Sequence, residues 1–217
     1  MKTTQTIFES GVSRKAIFAG LTAIILLGVF VSVNYYLTFR DADKSVVDQA
    51  GVERDHLPAG LENQGTRLAF YDFETGNAAD TASHLSFKGH SGKQSLKMNS
   101  KVIFSPGLWI RFRDLNHADS CWIRATGYVW FSGSPADAKC CLVATCNHQG
   151  VNFKYMFVAL EKENLQPDCW NRISIDYRVP PAPDAEDVLQ AYFWYRGQGE
   201  LLVDDVEVTL FKPKKRT

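Results

Sequence analysis

Neither sign of charge prevails in this sequence. Lys and Arg total 24 and Asp and Glu total 24, so no global field draws nucleic acid or a strongly acidic partner. Catalytic signatures are missing too: there is no nucleophile elbow, P-loop, dinucleotide fingerprint or H-E-x-x-H motif. Asp204 and Asp205 do not replace them. Neighbours on a strand project to opposite faces, whereas the carboxylates of a glycosidase converge across one bond. His84, His90, His117 and His148 are scattered through turn-rich pieces. The chain reads as a non-enzyme.

A complete disulfide framework is excluded as well, because Cys121, Cys140, Cys141, Cys146 and Cys169 are odd in number. One or two bridges remain open, for instance Cys121 to the 140–146 segment. So do buried free thiols packing as small hydrophobes, and a zinc site built on C-C-x4-C with His148 nearby.

One long apolar run is present. Residues 16–39, "AIFAGLTAIILLGVFVSVNYYLTF", carry no charge, and roughly 20 helical residues cross a bilayer core. Tyr35 and Tyr36 stand near one end, where amphipathic rings favour the headgroup level. The run exceeds a secretory h-region and lacks an A-x-A site, which favours an anchor over a cleaved signal. The organisation expected is a short tail (1–15), a single transmembrane helix (16–39), a charged stalk (40–64), a folded domain (65–212) and a basic tail (213–217). Arg14 and Lys15 abut the run, and the preferred topology leaves the domain periplasmic or extracellular.

Beyond the stalk no amphipathic helix appears. Nine short runs alternate with turns: 67–73, 94–98, 108–113, 121–131, 140–146, 153–160, 170–178, 188–195 and 200–211. In 170–178, Ile173, Ile175 and Tyr177 share one face while Ser174, Asp176 and Arg178 share the other. That is the signature of an antiparallel sheet buried on one side. The fold class expected is all-β, an antiparallel β-sandwich of jelly-roll type.

The order of segments carries a resemblance. "FYDFETG" (70–76), "FKGHSGKQSLKM" (87–98), "DCWNRISIDYRVP" (168–180) and "LQAYFWYRGQGELLVDDVEVTLF" (189–211) follow one another around paired aromatic strands. The domain resembles the carbohydrate-binding-module-like jelly rolls of the galactose-binding-domain type, common in secreted and surface proteins of Bacteroidetes. The resemblance covers about 145 residues and implies a structural calcium between the opening and closing strands. Its ligands would be Glu74, backbone oxygens between Lys88 and Ser91, and Asp204 or Asp205, a set that suits an ion taking six to eight oxygens. Exposed polar residues with no ion are the alternative.

The resemblance also implies sugar binding through aromatic platforms, on which the C–H face of a pyranose stacks. In 121–131, Trp122, Arg124, Thr126, Tyr128 and Trp130 alternate on one face. Gln190, Tyr192, Trp194 and Arg196 form a similar row, and Trp109 is a further candidate. The ligand-binding set expected is Trp122, Arg124, Tyr128, Trp130, Tyr192 and Trp194, with Trp170 assigned to the core. The function expected is a membrane-anchored, non-catalytic module that binds glycan or docks on an envelope glycan-handling protein. The alternative is an accessory subunit of a membrane complex whose sandwich binds protein. Exposure of Trp122, Tyr128 and Trp130 would favour sugar, and their burial under the domain's own loops would favour protein.

Overall fold

The computed structural model describes residues 54–62, 65–74, 84–115, 121–134 and 136–212. The chain divides into two units, Met1–Val52 and Glu53–Thr217, and the described residues all belong to the second. The apolar run expected to cross a membrane lies outside them. No helix among the described residues is long and apolar enough to cross a membrane. The helical pieces at Phe112–Leu115 and Leu160–Lys162 are 3-10 turns of four and three residues, far short of a bilayer crossing. The expectations of a single-pass anchor and of a periplasmic or extracellular domain are therefore withdrawn.

Among the described residues ten strands follow in order: β1 (Gly65–Tyr71), β2 (Leu85–Ser86), β3 (Ser95–Met98), β4 (Leu108–Arg111), β5 (Cys121–Trp130), β6 (Cys140–His148), β7 (Val151–Ala159), β8 (Asn171–Val179), β9 (Val188–Tyr195) and β10 (Leu201–Phe211). They form two antiparallel sheets. The first has the order β2-β3-β10-β5-β8, with β1 also on β10, and the second has the order β4-β9-β6-β7. This is the β-sandwich expected from alternation. The nine runs correspond to nine strands, and only the two-residue β2 lacked a pattern. The run at 67–73 stops pairing at Tyr71, because Phe73 adopts a left-handed conformation with φ 57°.

Alternation along the strands explains the core. On β5, Cys121, Ile123, Ala125 and Val129 are buried against the second sheet, while the intervening residues keep partial exposure. From the second sheet, Leu142, Ala144, Leu189, Ala191 and Phe193 meet them. Gly127 is required at this contact: a Cβ there would lie 2.6 Å from the Phe193 ring. Trp170 does not join the core. It stays partly exposed just before β8, with its indole edge-on to His90 at 5.8 Å.

No disulfide forms. Cys121, Cys140, Cys141 and Cys146 are buried thiols and Cys169 is exposed. Burial pushes the Cys121 and Cys146 thiols up to about 11, so they stay protonated and inert at neutral pH. The zinc alternative fails as well. Among the described residues no group of three or more His, Cys, Asp or Glu is arranged to hold a metal ion. His148 instead pairs with the buried Asp187 at 2.6 Å.

Residues 54–62, assigned above to the stalk, dock on the sandwich. Asp55 Oδ2 accepts from the Arg178 N–H at 2.8 Å and from Lys154 Nζ at 2.6 Å, tying the edges of β8 and β7. The Leu57 N–H donates to Asp176 Oδ2 at 2.9 Å, and the Leu57 side chain is buried.

The longest strand, β10, organises the first sheet. Its first half pairs with β3 and its second half with β1 on the same edge, while β5 runs along the other. Where the edge partner changes, the register against β5 slips. Asp204 faces Tyr128 and Glu207 faces Thr126, so Asp205 and Val206 share the space opposite Gly127. Asp205 takes up this β-bulge in a left-handed conformation, φ 46°. The 88–94 loop folds over the bulge, and Glu74 secures it by accepting the Lys93 and Gln94 N–H groups, both at 2.6 Å. Gly92, at φ 61°, allows this approach, since a Cβ there would collide with the Glu74 carboxyl at 2.4 Å. Replacing Glu74 with Ala removes two hydrogen bonds to a carboxylate, one exposed and one part-buried. It is expected to lower the unfolding free energy by about 1–3 kcal/mol in urea titrations, and an unchanged value would show the loop to be held elsewhere.

Candidate functional site

The bulge overturns one expectation at once. Strand alternation should separate the Asp204 and Asp205 carboxylates, yet the left-handed Asp205 turns both onto one segment. Asp204 Oδ2 accepts the His90 and Ser91 N–H groups at 2.6 and 3.3 Å, and its Oδ1 accepts the Asp205 N–H at 2.8 Å. Asp205 holds the side chains of the same pair, with His90 Nδ1 at 2.6 Å and Ser91 Oγ at 2.7 Å.

Glu74, Lys88, Ser91, Asp204 and Asp205 are thus brought to one neighbourhood, as the calcium reading requires, but their donors point the wrong way. The Asp204 oxygens and Glu74 Oε1 face N–H groups, whose positive ends lie where a cation would. The Lys88 carbonyl accepts from Ser95 Oγ at 2.6 Å. As arranged, these residues do not fit a calcium ion, which needs its oxygens converging on a common point.

Of the six aromatic and basic candidates, Trp122, Arg124, Tyr128 and Trp130 lie on β5, and Tyr192 and Trp194 lie on β9. The two strands belong to different sheets, and both sets project away from the shared core. They form two faces on opposite sides of the sandwich, so no single ligand unit touches all six.

The β5 row is largely occupied by the domain's own side chains. The His90 ring stacks on Tyr128 with centroids 3.4 Å apart and planes 13° apart. Lys88 Nζ sits 3.3 Å from the centre of the Trp130 ring. Arg124 makes a two-pronged pair with Asp176, at 2.6 and 3.0 Å. Burial alone would raise Asp176, but the Arg124 hydrogen bond, the Leu57 N–H and nearby positive charge outweigh it and hold the carboxyl below its ordinary range.

The β9 row belongs to a more coherent surface. Strand pairing lays the outward residues of the second sheet in rungs. One is Trp109, Gln190, Thr145 and Tyr155; the next is Tyr192, Val143 and Phe157; the third is Phe104, Trp194, Cys141 and Ala159. The middle strand, β6, contributes small side chains, and Cys141 and Val143 pack beneath Tyr155, Phe157, Tyr192 and Trp194. Small residues between taller rings make a ring-walled trough along β6, its floor at Cys141 and Val143 fully buried beneath the rings. Its three rungs span about 14 Å at the ordinary rise of a strand. Phe104 buttresses one wall, edge-on to Tyr192 at 5.5 Å and stacked on Trp194 at 6.4 Å. Trp109 is 57% exposed.

Polar groups stand at both ends of the trough. At one, Thr145 Oγ1 donates to Asn152 Oδ1 at 3.0 Å. At the other, the Arg196 guanidinium lies 5.1 Å from the Trp194 ring centre and donates to Cys141 Sγ at 3.2 Å and Glu161 Oε1 at 3.4 Å. The second Glu161 oxygen is buried with no hydrogen-bond partner. Sequence reasoning found Trp109, Gln190, Tyr192, Trp194 and Arg196 but missed Tyr155, Phe157, Phe104 and Glu161. The period-two spacing of Tyr155 and Phe157 was a usable signal. Phe104 and Glu161 come from outside the strands and had none.

No protein-family model matches the sequence, and no curated protein matches it. Among solved structures the chain is similar to the CBM22-1 xylan-binding domain of Xyn10C from Paenibacillus barcinonensis. The identity is 19%, the match covers 69% of this chain and 97% of that one, and the TM-score is 0.47. The CBM22-2 xylan-binding domain of the same protein is similar at 18% identity, covering 65% of this chain and 98% of that one, with a TM-score of 0.44. The tandem of both domains is matched over 52% of its length, at 18% identity over 71% of this chain and a TM-score of 0.45. At such identities and scores the likeness transfers neither a ligand nor a site.

The Asp204 carboxyl sets a pH dependence. Burial pushes it up to about 6, the His90 and Asp205 N–H groups pull it partly back, and the charge of Asp205 adds to the rise. A carboxyl that holds its proton more tightly when folded stabilises the fold fully below about pH 4, its unfolded range. That contribution is lost as pH rises through 6. The unfolding free energy should therefore decline between about pH 4 and pH 6, by on the order of 2–3 kcal/mol from this group. Asp204→Asn should flatten the decline, and a slope identical in the variant would assign it to another group.

Proposed function

We propose that the domain is a non-catalytic glycan-binding module that takes a polysaccharide chain along the trough of the second sheet. The observation that carries this reading is the rung pattern itself: aromatic walls of Tyr192 and Trp194 on β9 and of Tyr155 and Phe157 on β7 flank a floor of small residues. A pyranose ring stacks its C–H face on such walls, while its hydroxyls need directional partners. Asn152 and Gln190 stand at one end to meet them, and Arg196 at the other. The ring-bearing rungs repeat along the strands, which suits a run of sugar units better than a single one.

The test is a binding screen of the 217-residue chain against neutral polysaccharides, xylan among them, followed by titration of the best oligosaccharide. Trp194→Ala and Tyr192→Ala should each weaken binding at least tenfold, about 1.4 kcal/mol, in variants that circular dichroism shows to be folded. Binding that survives both substitutions would remove the trough from the account. A protein-docking role for the β5 face is the second reading, favoured by the His90 ring that covers Tyr128. Capture of a specific protein, abolished by changes on β5 and indifferent to Trp194, would support it.

The closure around Asp204 is proposed to work without calcium, because N–H groups already fill the carboxylates. Addition of EDTA or of calcium should leave the melting temperature unchanged. A fall in EDTA that calcium reverses would restore the ion.

A further inference from the structure

The face opposite the trough holds a recess of about 420 Å³ whose floor is one rung of the first sheet. Lys97 on β3 pairs with Leu202 on β10, and Leu202 pairs with Trp130 on β5. Leu202 is buried although it points outward. Ser86, Ser132, Asp137 and Glu200 stand around this floor. The volume lies within the roughly 300–1,000 Å³ typical of small-ligand sites.

We propose that this recess is a second carbohydrate subsite, taking a neutral pyranose unit on Trp130, so that the module engages two glycan segments on opposite faces. The occupant follows from the lining. Two lysines, Lys88 and Lys97, are balanced by Asp137 and Glu200, so the recess favours neither an anion nor a cation. A ligand rich in hydroxyls, each able to donate and accept, matches carboxylates, ammonium groups and serine hydroxyls set side by side. Leu202 and the indole offer the apolar surface that one face of a pyranose needs.

The coverings of Tyr128 and Trp130 differ in kind. His90 is anchored over Tyr128 through its backbone and its ring, on Asp204 and Asp205. Lys88 reaches Trp130 by a flexible side chain whose ammonium makes a cation–π contact and no ion pair among the described residues. The Trp130 indole Nε1 is buried beside it with no hydrogen-bond partner. A sugar that displaces the lysine would gain the ring face. The recess shares no residue with the trough, so the two sites stand or fall separately.

The experiment counts sites on the whole chain by calorimetric titration with short neutral oligosaccharides drawn from a glycan-array screen. Two sites are expected. Trp130→Ala should remove one and Trp194→Ala the other. Trp130→Phe keeps a ring but loses the N–H donor and guards against a folding defect; it should weaken the first site alone by threefold or more at an unchanged melting temperature. A single site that Trp130→Ala and Trp130→Phe leave untouched overturns the proposal, whether or not Trp194→Ala abolishes it. A single site lost in the Trp130 variants and retained in Trp194→Ala supports it and overturns the trough. No binding by any array glycan overturns both.

Discussion

Strand β10 has to serve two partners along one edge, and the rest of the domain is arranged around that constraint. β3 uses its first half and β1 its second, while β5 pairs with it on the other side. β3 stops pairing at Val203 and β1 begins at Val206, and the bulge at Asp204 and Asp205 falls in the gap between them. The bulge would leave backbone donors of the covering loop without partners. The two aspartates and Glu74 supply acceptors for that loop, so a backbone irregularity becomes a closed network of hydrogen bonds.

This closure also decides which aromatic groups remain available. By drawing the 88–94 loop across the first sheet, it sets His90 on Tyr128 and Lys88 near Trp130, and splits the outer face of β5 into separate parts. The second sheet is built differently. Its middle strand β6 is apolar on both faces, with Leu142 and Ala144 in the core and Cys141 and Val143 on the outer side. A strand buried on both faces between strands bearing rings is what makes a trough rather than a flat sheet.

The strands were legible in the sequence because period-two alternation is written into nearly every one, most plainly in Ile173, Ile175 and Tyr177 and along 121–131. The row from Trp122 to Trp130 was correctly placed on one face. Its separation from Tyr192 and Trp194 could not be read, since alternation reports faces of a strand and not which sheet the strand joins. Asp204 and Asp205 misled for a related reason. Alternation assumes regular backbone, and a left-handed Asp205 breaks it with no glycine to announce the bulge. Glu74 and the glycine-containing loop meet them through N–H groups and carboxylate acceptors that close on one another. The apolar run at 16–39 met a length criterion for a membrane span, and it falls outside the described residues.

The five tryptophans divide among the faces: Trp109 and Trp194 on the second sheet, Trp122 and Trp130 on the first, and Trp170 beside His90. Replacing them with fluorotryptophan gives one fluorine resonance for each position. Titration with a bound glycan, followed by fluorine NMR, reads directly which surface the ligand meets. The Trp194 and Trp109 resonances should move while those of Trp122 and Trp170 stay in place. Movement of Trp122 or Trp170 with Trp109 and Trp194 unchanged would contradict the trough as the binding surface.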